Sequence, residues 1–470
     1  MLFEAAAVIT AALALAGVGG EMSAPAYSIV SVSTVSVSTV SVQQTAEARL
    51  SDRQADAGTA PLWSQLGVRS GASVEIDLTT LRSMTGTNLL AGMAQLPLAD
   101  LATFAADFPT RIDTLLAAPP KPTAVTDWWS TLDAGQRATL TAATPRLVGS
   151  LDGVPLAQRS RANESLLRDG LAEAAHALAG ELPAEERSRL GRQQAMLSQV
   201  DLAMHASVDG PKRSLILLDT SGTGRAAIAL GNPDTADYIS YLVPGMNYQV
   251  TPTIVDWTRT ADDLYREQAA VLARSGPAAV IRAVSTEAAP APTIATISWI
   301  GYEAPDVFSV AGRDRALVGS EFLEKSWSGV RSTRGADQPF LSVFAHSYGS
   351  TVSLMALANG SVQVDALVLV GSPGSEIQAA DKLNVADGNV FVGKADWDVA
   401  VNTAFFGSDP GASSYGARVL GVHGGTDRVT GSALAAVVGH NSYFQPGSES
   451  LHNMALIGTD NAELVTGDTE

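Results

Sequence analysis

The spacing of apolar positions changes once along the chain. In the range 46–206 apolar residues recur every three or four positions, as in the segment 162–180, and this spacing is typical of helices. After the turn signal at 209–211 the pattern becomes one of short apolar runs separated by helical stretches. Such alternation is typical of a mostly parallel β-sheet with helices on its faces. We therefore predict an all-α N-terminal domain over 46–206 and an α/β domain over 207–470.

Eight short apolar runs in the second half predict eight strands of one sheet. The first two runs are separated only by the tight turn 220–224, so we expect them to form an antiparallel hairpin at a sheet edge. The predicted strands are 213–219, 225–231, 238–243, 293–300, 340–345, 364–370, 389–393 and 417–422.

Residues 1–45 form a separate apolar and low-complexity segment. The apolar stretch 5–18 has the length of a signal peptide, but Glu4 precedes it and no Lys or Arg occurs before Arg49. Export signals normally begin with basic residues, so the sequence favours a cytoplasmic chain over an exported one by a small margin. The stretch is also shorter than the about 20 residues of a transmembrane helix, and membrane contact stays open.

Composition narrows the possible partners. The net charge of −18 disfavours nucleic acid and other polyanions, and the 46% hydrophobic and 17% charged residues are those of a globular protein. The chain has no cysteine, which excludes thiolate nucleophiles and cysteine metal sites. His423 and Asp427 form a pair without a third ligand, so we expect no metal, and acyl transfer requires no cofactor.

A small-x-Ser-x-Gly motif at 345–349 points to a nucleophile. An apolar strand precedes Ser347 and a helical pattern follows it, which predicts the sharp strand-to-helix turn that exposes a serine at the edge of a sheet. A second match at 412–416 follows Pro410-Gly411 and not a strand. We therefore expect Ser347 to be the nucleophile.

A serine nucleophile needs a histidine base. In α/β domains that carry the serine on such a strand-to-helix turn, the histidine follows the serine in the chain. Three histidines follow Ser347: His423, His440 and His452. His440 opens a polar loop beyond the last predicted strand and is the first choice. His423 ends that strand, and His452 has the pattern of a helix residue.

The histidine in turn needs an acid that fixes its orientation. Asp396 follows the seventh predicted strand with a Gly-x-x-Asp spacing from Gly393 and is the first choice, with Asp398 as the runner-up. Asp427 lies in a loop of similar appearance and is a third possibility.

Backbone N–H groups complete such a site by holding the oxyanion. One should belong to Tyr348, directly after the nucleophile, and the other to Met246, after the third predicted strand, where Gly245 permits close approach.

These residues resemble an actinobacterial α/β-hydrolase subfamily that is classified only as a domain of unknown function. The resemblance implies an α/β-hydrolase fold and a triad of Ser347, an acid near Asp396, and His440. It departs from the family at Ala345, where glycine is usual, and at 396–400, where an Asp-Pro pair is common. The strings that carry it are 128-WWSTL-132, 148-VGSLDGVP-155, 160-SRANESLL-167, 242-LVPGM-246, 299-WIGYEAP-305, 345-AHSYGS-350, 369-LVGSPG-374, 406-FGSDPGASSYGARV-419 and 439-GHNSYF-444.

Motif and resemblance together predict a serine hydrolase that cleaves a carboxylic ester or related acyl group of a small molecule through an acyl-enzyme. Two other hypotheses keep the same fold: a binding or scaffold protein without turnover, and an acyltransferase that uses the same triad with an alcohol acceptor.

Overall fold

The computed structural model describes residues 78–205, 209–275, 291–401 and 403–467. The predicted N-terminal segment 1–45 lies outside these residues. Across the described ranges, no helix combines the length and the apolar character needed to cross a bilayer.

The first described part of the chain is helical, as its apolar spacing predicts. Several of its helices begin with proline, whose fixed φ suits the first helical position. The helix after Asp133 begins with a capping box, in which the Asp133 carboxylate accepts from the Gln136 N–H. The helices are α1 Leu78–Ser83, α2 Gly86–Met93, α3 Leu98–Asp107, α4 Pro109–Ala117, α5 Pro122–Thr131, α6 Ala134–Ala143, α7 Pro145–Ser150, α8 Leu156–Leu178 and α9 Ala184–Met204.

Two hydrophobic clusters divide this region. Residues of α1 to α7 enclose a core of their own around Phe104 and Trp129. Helices α8 and α9 instead pack on the sheet, where Leu167 and Leu197 share a core with Leu215. Helices α8 and α9 thus share the core of the sheet, although they precede the predicted boundary at 206/207. That boundary stays a prediction.

The second part is an eight-stranded, mostly parallel sheet with flanking helices, which confirms the predicted fold class. The strand order is β1-β2-β4-β3-β5-β6-β7-β8. β2 is antiparallel to both neighbours, and the ladders from β4 through β8 are parallel. The strands are β1 Arg213–Asp219, β2 Arg225–Gly231, β3 Tyr238–Val243, β4 Ile294–Ile300, β5 Phe340–His346, β6 Ala366–Val370, β7 Val390–Gly393 and β8 Arg418–Val419.

β8 is shorter than the predicted run 417–422. The Leu420 N–H still donates to the Val392 carbonyl, but the Gly421 N–H donates to Thr466 and so leaves the ladder. Leu420 and Val422 are nevertheless buried, which explains why the run is apolar beyond the end of the strand.

Both faces of the sheet are covered, so the central strands are buried along almost their whole length and do not alternate between buried and exposed residues. Helices α11 and α12 pack on one face and α10 and α13 on the other. This places the carboxyl ends of β3, β5, β6 and β7 along one edge, where connecting loops carry the site residues. The helices are α10 Val250–Ser275, α11 Asp314–Arg334, α12 Tyr348–Ala358 and α13 Glu449–Ile457, and a small hairpin comprises β9 Gly425–Thr426 and β10 Ala433–Leu434.

Candidate active site

Ser347 occupies the turn between β5 and α12. Its backbone has φ 53° and ψ −129°, a conformation that is unfavourable for any residue with a side chain. Its N–H donates to the Val370 carbonyl over 3.0 Å. Gly245 lies against it so closely that a Cβ there would be 2.6 Å from the serine Cβ and 3.0 Å from Oγ. The neighbouring strands thus hold the serine in the strained elbow that the motif predicts.

His440 and Asp398 form a buried pair beside this elbow. The His440 Nδ1–H donates to Asp398 Oδ1 over 2.8 Å, and the two side chains are 5% and 0% exposed. Gly371 packs on both, since a Cβ there would be 2.9 Å from His440 Cε1 and 3.1 Å from Asp398 Oδ2. Gly371 directly follows Val370, the partner of the Ser347 N–H, so one loop contacts the serine and the pair.

The Asp398 carboxylate is satisfied on both oxygens. Oδ2 accepts from the Tyr443 hydroxyl over 2.6 Å, and Oδ1 accepts from the Ala400 N–H over 2.9 Å. Burial acts to raise the pKa of Asp398, but the hydrogen bonds and the charge of His440 outweigh it, so the pKa lies below its usual value. The acid is therefore ionised and held in one orientation.

Tyr443 is a contact that sequence reasoning missed. It is fully buried, and its hydroxyl also accepts from the Ala395 N–H over 2.9 Å. Burial and the neighbouring Asp398 raise its pKa, so the hydroxyl stays protonated and donates to the acid. Its only signal in the sequence is its place three residues after His440, within the string 439–444.

The acid expected at Asp396 does not contact His440; the structure brings Asp398 there instead. The Asp396 side chain is 69% exposed, and its nearest basic group is His423, 3.7 Å away. The reason lies in the backbone: Asp396 pairs with Val438, and Trp397 then adopts φ 61°, which turns the next carboxylate inward. His440, the expected base, therefore pairs with Asp398, the second choice for the acid.

The other predicted alternatives lie elsewhere. His423 is 42% exposed next to Asp396. His452 lies on α13, as its pattern predicts, and its Nδ1 is 2.8 Å from Glu267. The Asp427 carboxylate accepts from the Thr430 hydroxyl and from the backbone of its own turn.

The two residues whose N–H groups are expected to hold the oxyanion each adjoin the serine turn in the chain or through a contact. Tyr348 is the first residue of α12, where the N–H groups have no partner within the helix. Met246 follows Gly245, the residue in contact with the serine. The loop around it is fixed by two hydrogen bonds, from the Tyr302 hydroxyl to the Pro244 carbonyl at 2.8 Å and from the Asn247 N–H to the Pro305 carbonyl at 2.8 Å.

Comparison with known proteins gives one family match. A family model described as "Alpha/beta hydrolase" matches residues 219–408. The matched range includes β3 to β7 with Ser347 and Asp398, and it ends before His440.

No group of three or more His, Cys, Asp or Glu side chains in the described ranges is arranged to hold a metal ion.

Mycobacterial proteins are similar over larger parts of the chain. The uncharacterized protein Mb0988c of Mycobacterium bovis is 31% identical over 229 residues, which are 48% of this chain and 80% of that protein. The uncharacterized protein Rv2079 of Mycobacterium tuberculosis is 28% identical over 388 residues, which are 73% of this chain. The chain spans 56% of the length of that second relative.

Solved structures that resemble the chain include two esterases. A thermostable esterase from Pseudomonas putida matches at 13% identity and a TM-score of 0.30, over 64% of this chain and 97% of that one. A hyperthermophilic esterase from Pyrobaculum calidifontis matches at 13% identity and a TM-score of 0.31, over 59% and 93%.

Proposed function

Because the chain belongs to the alpha/beta hydrolase family, we propose that it is a serine hydrolase that cleaves a carboxylic ester or a related acyl substrate. In this proposal Ser347 is the nucleophile, His440 the base and Asp398 the orienting acid. The N–H groups of Met246 and Tyr348 hold the oxyanion. The substrate is a small molecule with an acyl group.

One observation carries the assignment: a single loop contacts both the buried His440–Asp398 pair and the serine held at positive φ. In that loop Gly371 packs on the pair, and the Val370 carbonyl accepts the serine N–H. A buried His–Asp pair alone has a structural explanation, and so does a serine in a strand-to-helix turn. Their joint presence at the carboxyl edge of a parallel sheet is the arrangement that acyl transfer by a serine requires.

The reaction begins with attack of Ser347 Oγ on the acyl carbon. The serine proton passes to His440 Nε2, a buried atom without a hydrogen-bond partner among the described residues. The imidazolium that forms is stabilised by the Asp398 carboxylate through Nδ1–H. The negative charge that develops on the carbonyl oxygen is held by the two N–H groups.

Collapse of this intermediate releases an alcohol and leaves an acyl group on Ser347. The alcohol takes its proton from His440, which returns to the neutral state. A water molecule then attacks the acyl carbon, its proton passes to His440, and the C–O bond to the serine breaks with return of that proton to Oγ.

A fluorophosphonate probe tests the nucleophile directly, because it forms a covalent bond only with an activated serine. Labelling at Ser347, lost in Ser347→Ala and retained in Ser413→Ala and Ser414→Ala, supports the proposal. Ser413 and Ser414 are exposed serines of the second motif match and serve as matched controls. Labelling that survives in Ser347→Ala would contradict it.

Two further outcomes separate the other hypotheses. Absence of labelling, together with no turnover of short-chain nitrophenyl esters, would favour a binding or scaffold protein. Faster release of the acyl group on addition of an alcohol, with formation of the new ester, would identify an acyltransferase.

A further inference from the structure

His346 is a buried histidine for which the proposed reaction has no use. It is the last residue of β5, directly before Ser347, and is 4% exposed. Its Nε2 is 2.7 Å from the main-chain carbonyl oxygen of His440. A carbonyl oxygen only accepts hydrogen bonds, so His346 carries its proton on Nε2 and donates it there.

The ring of His346 also packs on the loop that carries the base. Its centroid is 4.7 Å from that of the His440 ring, and it contacts the rings of Tyr443 and Phe444 at 6.2 Å each. The side chain therefore touches both the base and the tyrosine that fixes the acid. His346 is also bonded directly to the nucleophile, because the two residues are adjacent in the chain.

Burial, assisted by the neighbouring His440, lowers the pKa of His346 to about 3. The groups that face it are His440, Asp398, Tyr443 and Phe444, and the Asp398 charge opposes the shift without reversing it. The ring is therefore neutral above that pH. It adds no positive charge beside His440 when that residue becomes an imidazolium.

From these contacts we propose that His346 is a positioning residue, whose Nε2–H anchors the main chain of His440 to the nucleophile elbow. Ser347 is joined to His346 by the peptide bond, and the main chain of His440 is joined to His346 by the hydrogen bond. His346 therefore fixes the distance between the nucleophile and the base. The inference rests on the proposed function, because it assigns His346 to the same reaction.

Position 346 therefore requires a neutral side chain that donates a hydrogen bond, and a side chain of similar volume without a donor should not suffice. Leucine fills much of the same space but leaves the His440 carbonyl buried without its donor. Glutamine carries an amide N–H at a similar reach and is neutral at every pH. The pair His346→Leu and His346→Gln therefore separates loss of the hydrogen bond from loss of the ring.

Steady-state hydrolysis of a nitrophenyl ester by the full chain is the main measurement. We expect His346→Leu to lower kcat about 10- to 100-fold with KM changed less than about 2-fold, since small misplacement of reacting groups costs on that order. His346→Gln should recover kcat to within about 3-fold of wild type. Unchanged kcat in His346→Leu, or a His346→Gln variant as slow as His346→Leu, would overturn the proposal.

A matched control excludes a general effect of losing a buried histidine. His452 is also buried, but it bonds Glu267 and makes no contact with Ser347 or His440 in the described hydrogen bonds and ring contacts. His452→Leu should lower the melting temperature and leave kcat within about 2-fold of wild type. A loss of kcat in His452→Leu equal to that in His346→Leu would show that the effect is not specific to positioning, and so would overturn the proposal.

Amide hydrogen exchange separates this inference from the proposed function. If wild type neither turns over esters nor labels with the fluorophosphonate, the proposed function fails, and with it the role in that reaction. The anchoring itself is then judged by exchange in the segment 439–444, which should be faster in His346→Leu than in wild type and restored in His346→Gln. Equal exchange in all three proteins would overturn the anchor.

Discussion

His440 and His452 make the same kind of contact in two regions of the C-terminal half. In each, Nδ1 is 2.8 Å from a carboxylate oxygen and the histidine side chain is 5% exposed. The surroundings differ. The acid at His440 is fully buried and bonded on both oxygens, whereas Glu267 at His452 is 26% exposed.

Nε2 of each histidine is buried and has no hydrogen-bond partner among the described residues, but the surroundings of the two atoms differ. His452 Nε2 faces another carboxylate, Asp427, at 3.7 Å, whereas His440 lies beside the elbow that contains Ser347. His452 thus lies between a helix carboxylate and a turn carboxylate, and no hydrogen bond or ring contact joins it to Ser347 in the described part of the chain. The comparison teaches that a short His–acid distance does not define a site; the strained serine next to it does.

Replacing each histidine by alanine gives the largest expected contrast. His440→Ala removes the proposed base, and we expect kcat for a nitrophenyl ester to fall about 10⁴-fold or more. His452→Ala should change kcat less than about 3-fold and lower the melting temperature. Comparable losses of kcat in both variants, measured on folded protein, would contradict the difference drawn between the two regions.

The two acids of the 396–398 segment give the next contrast. Asp398→Asn keeps the size of the side chain but removes the charge that orients His440, and we expect kcat to fall about 10³- to 10⁴-fold. Asp396→Asn should stay within about 3-fold of wild type, since its side chain is 69% exposed. The opposite ranking would return the acid to Asp396.

Much of this geometry could be predicted from the sequence, because it is local. Strands buried on both faces are mostly apolar, and β4 and β5 can be recognised in the sequence as short apolar runs for that reason. The elbow at Ser347 is readable because strand, turn and helix follow one another without a gap. The order of the strands comes from tertiary pairing and is not written in any one of them.

The carboxylate that contacts His440 could not be predicted in the same way. Asp396 and Asp398 are two residues apart after one strand, and the choice between them depends on the backbone at Trp397, where φ is 61°. The residue before it, Asp396, pairs with Val438, which lies far along the chain. Tyr443 and His346 join the site through the same long-range contact of the 438–444 loop.

Gly371 offers a smaller perturbation of the productive pair. An alanine there adds a Cβ 2.9 Å from His440 Cε1, and its φ of 61° disfavours any side chain. Gly360 is a matched control, because its φ is 69° and a Cβ added there would have no atom within 4 Å. We expect Gly371→Ala to lower kcat about 10- to 100-fold, and Gly360→Ala to cost only about 1 kcal/mol of stability. Equal kcat in the two variants would mean that the pair tolerates displacement.

Tyr443→Phe is expected to have the smallest effect, a loss of folding stability. The pH dependence of that loss tests whether the hydroxyl stabilises ionised Asp398. The Tyr443 hydroxyl helps to hold the pKa of Asp398 below its usual value, so Asp398 contributes stability above its unfolded pKa of about 3.9 and loses it as pH falls through the folded pKa. We expect the variant to be about 2 kcal/mol less stable in urea at pH 7. The difference should shrink as pH falls through the folded pKa of Asp398, which lies below the usual value, to the part that comes from the Ala395 N–H, which loses its acceptor at every pH. A difference that stays constant until the Asp398 carboxylate of the folded wild type is protonated would show that the hydroxyl does not stabilise the ionised acid.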